Sequence, residues 1–185
     1  MLRLVRLLTA IVALEVLAVS SPAHAADEAA ADKEASKHHD GSADGKKSLG
    51  GSGEMIRFTL PQDNQKLAGI KIHGSRYGQP QAPKESFLIY VVDPDGKEVL
   101  STQMAPYSLF GRGEEKWVDV RFPKPVEVPK DFWILLDFRA DQTKGAYVSY
   151  DTSSAGKFSK TGLPGLEAKD VDFSGDWIVE LMPAK

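Results

Sequence analysis

The chain has 185 residues and no cysteine, with 23 Lys and Arg against 26 Asp and Glu for a net charge of −3. That length allows one domain of about 100–200 residues with extensions. The mild acidity excludes the clustered basic face of a nucleic-acid binder, and without disulfide staples the fold must be held by core burial.

Residues 1–25 have the pattern of a secretory leader. Arg3 and Arg6 give a positive start, Leu7 to Val19 form an apolar run, and Ala23-His24-Ala25 supplies a small-x-small cleavage site after Ser20-Ser21-Pro22. The run is too short to stay in a bilayer, and no cysteine follows it to carry a lipid. The expectation is a chain that begins near Ala26 in the periplasm or outside the cell, with no stable membrane insertion.

Residues 26–53 hold one leucine, Leu49, and no aromatic residue, and they end in Gly50-Gly51-Ser52-Gly53. Such a composition buries too little apolar area to offset its ordering entropy, so it predicts a disordered linker. His38-His39 lies inside it. Two neighbouring histidines on a loose segment make a weak metal site, and no metal is expected there.

From Glu54 to Lys185 the pattern is that of one all-β domain. Strands are expected at Met55 to Leu60 and at Leu67 to His73, where Ile70 and Ile72 face one way and Lys71 and His73 the other. Phe87 to Val92 is apolar on both faces and predicts a central strand. Asp93-Pro94-Asp95-Gly96 is a turn, since proline presets φ and glycine tolerates a positive one. Lys97 to Met104 returns as its hairpin partner.

Lys116 to Phe122 turns Val118, Val120 and Phe122 inward and Asp119 and Arg121 outward. Phe132 to Phe138 is a second central strand, Ala146 to Asp151 alternates, and Trp177 to Met182 closes the domain. About eight strands at this spacing predict a two-sheet antiparallel sandwich of jelly-roll or Greek-key type.

The chemistry-bearing residues argue against an enzyme. His73 is the one histidine after the linker, and it sits on a strand opposite Ile70 and Ile72. No phosphate loop or His-Glu-x-x-His run occurs. Ser154-Ala155-Gly156-Lys157 and Lys160-Thr161-Gly162 imitate motifs of penicillin-recognising serine enzymes. Those motifs belong on a helix and a distant strand, whereas here they share one loop. Asp137, Asp141, Asp151, Asp170, Asp172 and Asp176 read as turn caps and as ion-pair partners of Arg76, Arg112 and Arg139. No cofactor is implied.

What remains is a set of loop aromatics beside donors and acceptors: Arg76, Tyr77, Tyr107, Arg112, Tyr150, Asp151 and Trp177. Rings serve as platforms and guanidinium forks read hydroxyls or carboxylates, so these seven are the expected ligand site, converging at one end of the sandwich. The competing expectation is that Arg76 and Asp151 pair with each other and tie two loops together.

Gly74-Ser75-Arg76-Tyr77-Gly78, Ala82 to Phe87, Pro106-Tyr107-Ser108, Thr143 to Asp151, Gly162-Leu163-Pro164-Gly165 and Gly175-Asp176-Trp177-Ile178 occur in that order. In these segments the chain resembles a C-terminal β-sandwich domain of unknown function, found in exported or membrane-tethered bacterial proteins, notably of planctomycetes. There it sometimes follows hydrolase or peptidase modules. The resemblance covers Met55 to Leu181, implies a sandwich, and brings no catalytic residue.

Two functions stay open on the sequence. One is an exported, non-catalytic module for carbohydrate or cell-envelope polymer. The other is a protein-interaction or structural module of the envelope, with a small hydrolase a distant third.

Overall fold

The computed structural model describes residues 35–184, so the leader reading of residues 1–25 and the first part of the expected linker lie outside the described residues. Eight strands come first: β1 (Gly45–Lys47), β2 (Gly53–Thr59), β3 (Gln65–Gly78), β4 (Ser86–Val92), β5 (Val99–Pro106), β6 (Lys116–Val128), β7 (Asp131–Asp137) and β8 (Lys144–Asp151). Four short ones follow: β9 (Ser159–Gly162), β10 (Lys169–Asp170), β11 (Asp176–Trp177) and β12 (Val179–Pro183). The strands form two antiparallel sheets, which is the expected all-β sandwich.

The order of the first eight strands decides the topology. In the first sheet β1 pairs with β8, β8 with β3, and β3 with β6. In the second the order is β2-β7-β4-β5, extended beyond β2 by β9 and β10. Among these eight, consecutive strands change sheets at every connection but the β4–β5 hairpin, so β1-β8-β3-β6 faces β2-β7-β4-β5. This is a jelly roll, two interleaved Greek keys.

The two inner faces enclose one core. Ile70, Ile72, Val118, Val120 and Val148 from the first sheet meet Ile56, Phe58, Ile89, Phe132 and Ile134 from the second, all buried. A smaller cluster of Met55, Val92 and Leu135 lies apart from this core, packed by Tyr90, Trp133 and Ala168. The apolar double-sidedness of Phe87 to Val92 and Phe132 to Phe138 therefore has a physical use on both sides of the second sheet.

The linker reading of residues 26–53 needs correction from residue 35 onward. Ser36 accepts a bond from the Leu181 amide at 2.9 Å, and Asp40 donates its amide to Asp151 Oδ2 at 2.7 Å. Gly45–Lys47 is the first strand of the jelly roll. Composition missed it because the segment is held by edge pairing and polar contacts rather than by its own apolar side chains. Gly45 illustrates the fit: a Cβ there would stand 2.3 Å from the Tyr150 hydroxyl.

The C-terminal stretch expected as one strand is two. β11 pairs with β8, and β12 pairs with β3. Between them Ile178 enters the fork where β3 and β8 part: its amide donates to Ser149 O at 2.8 Å, and its carbonyl accepts from His73 N at 3.1 Å. Gly74 stands at this fork, where a Cβ would meet Tyr147 O at 2.2 Å.

Candidate functional site

The seven expected ligand residues do not converge at one end. Tyr77 pairs with Gly145 in the β3–β8 register, whereas Tyr150 and Asp151 lie at the far end of β8 opposite Trp177 and Asp176. Five to six residues of strand, roughly 16–20 Å, separate the two groups.

At the first end, Arg76 is 9% exposed. Its Nη1 and Nη2 donate to the carbonyls of Gln79 and Pro80 at 2.6 and 2.5 Å. It does not pair with Asp151; it ties down its own following loop. Arg112 is exposed, and its backbone bridges that of Arg76. Tyr107 is buried among Phe87 and Phe138, and its hydroxyl donates to the Phe138 carbonyl. Burial there pushes the phenol well above its ordinary range.

At the other end, Tyr150 stacks on Phe173 with centroids 4.1 Å apart. Asp151 is buried and accepts the amides of Asp40 and Ser153 at 2.7 and 2.6 Å. Burial alone raises its pKa, but these bonds outweigh that and hold the carboxyl below its usual range. Trp177 is fully buried, with its Nε1 donating to Lys160 O at 3.3 Å. Of the seven, only Arg112 is exposed and Tyr77 and Tyr150 are partly so; Tyr107, Asp151 and Trp177 hold the structure together.

A different group gathers on the outer face of the first sheet, where the strand alternation opposite Ile70, Ile72, Val118 and Val120 directs it. Trp117 on β6 is 42% exposed. It lies beside His73 of β3, ring centroids 5.2 Å apart and edge-on. His73 Nδ1 bonds Ser149 Oγ at 2.8 Å, the two being set side by side by the Ile178 wedge. Burial lowers the His73 pKa, which favours a neutral ring.

The patch continues along β3. Ser75 Oγ donates to Glu115 Oε1 at 3.0 Å, and Lys46 Nζ binds the same carboxylate. The Lys46 contact keeps Glu115 below its ordinary range and therefore charged. Lys46 also lies 5.3 Å from the Tyr147 ring, which in turn stands 4.9 Å from Tyr77. Tyr77 is fixed by donating its hydroxyl to Asp141 O at 2.8 Å.

A shallow concavity of about 180 Å3 opens beside this line, bordered by Asp44, Gly45, Lys46, Glu115 and Ser149. At the opposite margin Lys71 meets Glu180 at 3.8 Å, and His39 approaches both Glu180, at 3.4 Å, and the Trp117 ring. The surface is thus aromatic at both ends and charged between.

His38 and His39 do not act together. His38 is sandwiched against Phe158 and Phe58, at 3.7 and 5.1 Å between centroids, while His39 turns to the Trp117 side. Among the described residues no group of three or more His, Cys, Asp or Glu side chains converges as a metal site would.

No protein-family model, curated protein or solved structure matches this chain. The chemistry of the site therefore has to be argued from its own residues. Ser149 and His73 form a hydrogen-bonded pair, but Ser149 is fully buried. The nearest carboxylate described on that face, Glu115, is engaged by Lys46 and Ser75. The pair is built to hold β8 against β3 across the fork.

Trp117 and Tyr147 lie outside the set of ligand residues that the sequence predicts. The signal for Trp117 was in the sequence: if Val118, Val120 and Phe122 point inward, Trp117 must point outward. Tyr147 required knowing that β8 lies beside β3.

Proposed function

We propose that the chain is an exported, non-catalytic binding module for an extended carbohydrate or cell-envelope polymer, which it holds on the outer face of the first sheet. The observation that carries this reading is the exposed Trp117 ring in line with His73, Tyr147 and Tyr77, with Lys46 and Glu115 between. A ring offers an apolar platform to a sugar face, and neighbouring ammonium, imidazole and carboxylate groups satisfy its hydroxyls. The leader pattern of residues 1–25 supports export, and the motif resemblance is to sandwich domains of exported or membrane-tethered proteins.

The test is retention of the purified chain on insoluble glycans and on envelope fractions. Trp117→Ala and Tyr147→Ala should each weaken retention about tenfold or more, worth about 1.4 kcal/mol, with an unchanged fold by circular dichroism. Retention that is undiminished in both variants, or absent in the parent chain on every polymer tried, sinks the reading.

A further inference from the structure

Resting on the polymer reading above, we infer that the ligand of the first sheet's outer face is an uncharged polysaccharide chain seated across Trp117 and Tyr147. Anionic envelope polymers are excluded from it.

The charges of this face offset one another. Lys46 binds Glu115, and Lys71 meets Glu180 at 3.8 Å. Lys71 also stands opposite Asp119 in the β3–β6 register, and Arg121 is the next outward residue along β6. Glu114 and Lys116, of opposite sign, flank Glu115 in the chain. Asp44, at the rim of the concavity, adds a carboxylate that accepts two bonds from Thr152. Among the described residues, every cation of this face therefore has an anion near it. An anionic polymer gives up its counterions only to a cluster of cations whose field is not cancelled locally.

What the face does offer matches a sugar chain. Trp117 is exposed and Tyr147 partly so. Two strand spacings and two residues of rise separate them, roughly 12 Å, so a single sugar ring cannot cover both platforms and a chain of several can. Between the platforms lie Lys46, Glu115 and Ser75, the last two bonded at 3.0 Å. An ammonium beside a carboxylate supplies donors and acceptors together, and a sugar hydroxyl is both. Hydroxyls that give up water thus find partners there without the ligand carrying a charge.

Asp119 is the position at which this balance can be tipped. It is exposed, and it shares the outward side of β6 with Trp117 and Arg121. Asp119→Lys sets a third cation beside Lys71 and Arg121 and creates the cluster that the parent face lacks.

The test compares retention of the purified chain on uncharged polymers (amorphous cellulose, chitin and β-glucan) and on anionic ones (cross-linked polygalacturonate and alginate). The parent should be retained on an uncharged polymer, changing less than about twofold between ~20 and ~500 mM salt, and should pass over the anionic ones. A soluble oligosaccharide of the retained polymer should release it, and the monosaccharide at equal mass should not. Asp119→Lys, checked for an unchanged melting temperature, should gain about tenfold or more in retention on polygalacturonate at low salt and lose it at high salt. A parent retained by an anionic polymer, alone or as well, overturns this inference and leaves the polymer reading standing. So does an Asp119→Lys chain that polygalacturonate still fails to hold, or release by monosaccharide as readily as by oligosaccharide. Retention on neither kind of polymer removes the polymer reading itself, and the ligand class with it.

Discussion

Residues 35–53 and the central strand β7 belong to the same jelly roll and are held by different physics. β7 buries Phe132, Ile134, Leu135 and Leu136 completely and is flanked by β2 and β4 along its length. The N-terminal segment buries little aliphatic surface of its own. It is fixed by Asp151 at the Asp40 amide, by Asp44 at Thr152, and by His38 between two phenyl rings. Leu49 donates its amide to the buried Glu54. One region is specified by apolar pattern, the other by partners far away in sequence. A composition can announce the first kind of order and stay silent about the second.

The comparison breaks most sharply at β7. Ile134→Ala removes buried atoms between two paired neighbours and should cost about 2–5 kcal/mol in urea denaturation, the spread reflecting how far the site collapses. A loss under 1 kcal/mol would mean that the core is far looser than its burial implies. Asp151→Ala is the counterpart for the N-terminal segment. It strands the amides of Asp40 and Ser153, so a cost of ~1–3 kcal/mol is expected, less than at Ile134. It should also speed proteolysis between residues 36 and 47, leaving β7 protected. Equal cleavage in parent and variant would show that Asp151 does not anchor the segment.

The same contrast explains what was legible in the sequence. Alternation and apolar runs mark β2, β4, β7 and β8, because each buries a side-chain row whose period survives in the letters, whereas β5, which buries only Ala105, is legible from the turn that precedes it. β3 and β6 run past their expected ends, to Gly78 and Val128. Proline ordinarily ends a strand, yet β6 runs through Pro123 and Pro125, because on an edge strand a missing N–H breaks no ladder. β1, Gly-Lys-Lys, has no period to read, and only β8 makes it a strand.

The ligand site was less legible still. Loop position suggested Tyr107, Asp151 and Trp177, but long loops in a jelly roll must themselves be fastened, and polar aromatic residues do that fastening. Trp117 was accessible by parity alone. The line from Trp117 to Tyr77 depends on strand neighbours that no local pattern gives.

The finest distinction is in pH, where the N-terminal segment is gripped by groups that titrate in opposite senses. Burial lowers the pKa of His38, partly offset by its bond with the Arg57 carbonyl. Burial likewise lowers that of His39, against the pull of Glu180. Both rings therefore favour the neutral form when docked. Their contribution is complete above the unfolded value near 6.5 and is lost as pH falls below it towards the lower folded values. Glu54 behaves inversely. It is fully buried, one oxygen lacks a partner, and its pKa is pushed up to about 8 by that burial. Its contribution is complete below about 4.5 and declines as pH rises from there through about 8, by at most ~1.4 kcal/mol per pH unit. Among the described residues Asp137 and Tyr107 are the ionisable groups that feel this carboxyl, and neither supplies a positive charge to relieve it. Glu54→Gln keeps an oxygen for the Leu49 amide and removes the titration, so the fall in stability between pH 5 and 8 should flatten in the variant. In parallel, amide exchange of residues 36–41 should quicken as pH drops from 7 to 5 after correction for intrinsic rates, with β7 unaffected. Glu54→Gln melting with the parent's pH slope, or exchange at 36–41 indifferent to acid, would show that these groups do not hold the segment in the way their burial implies.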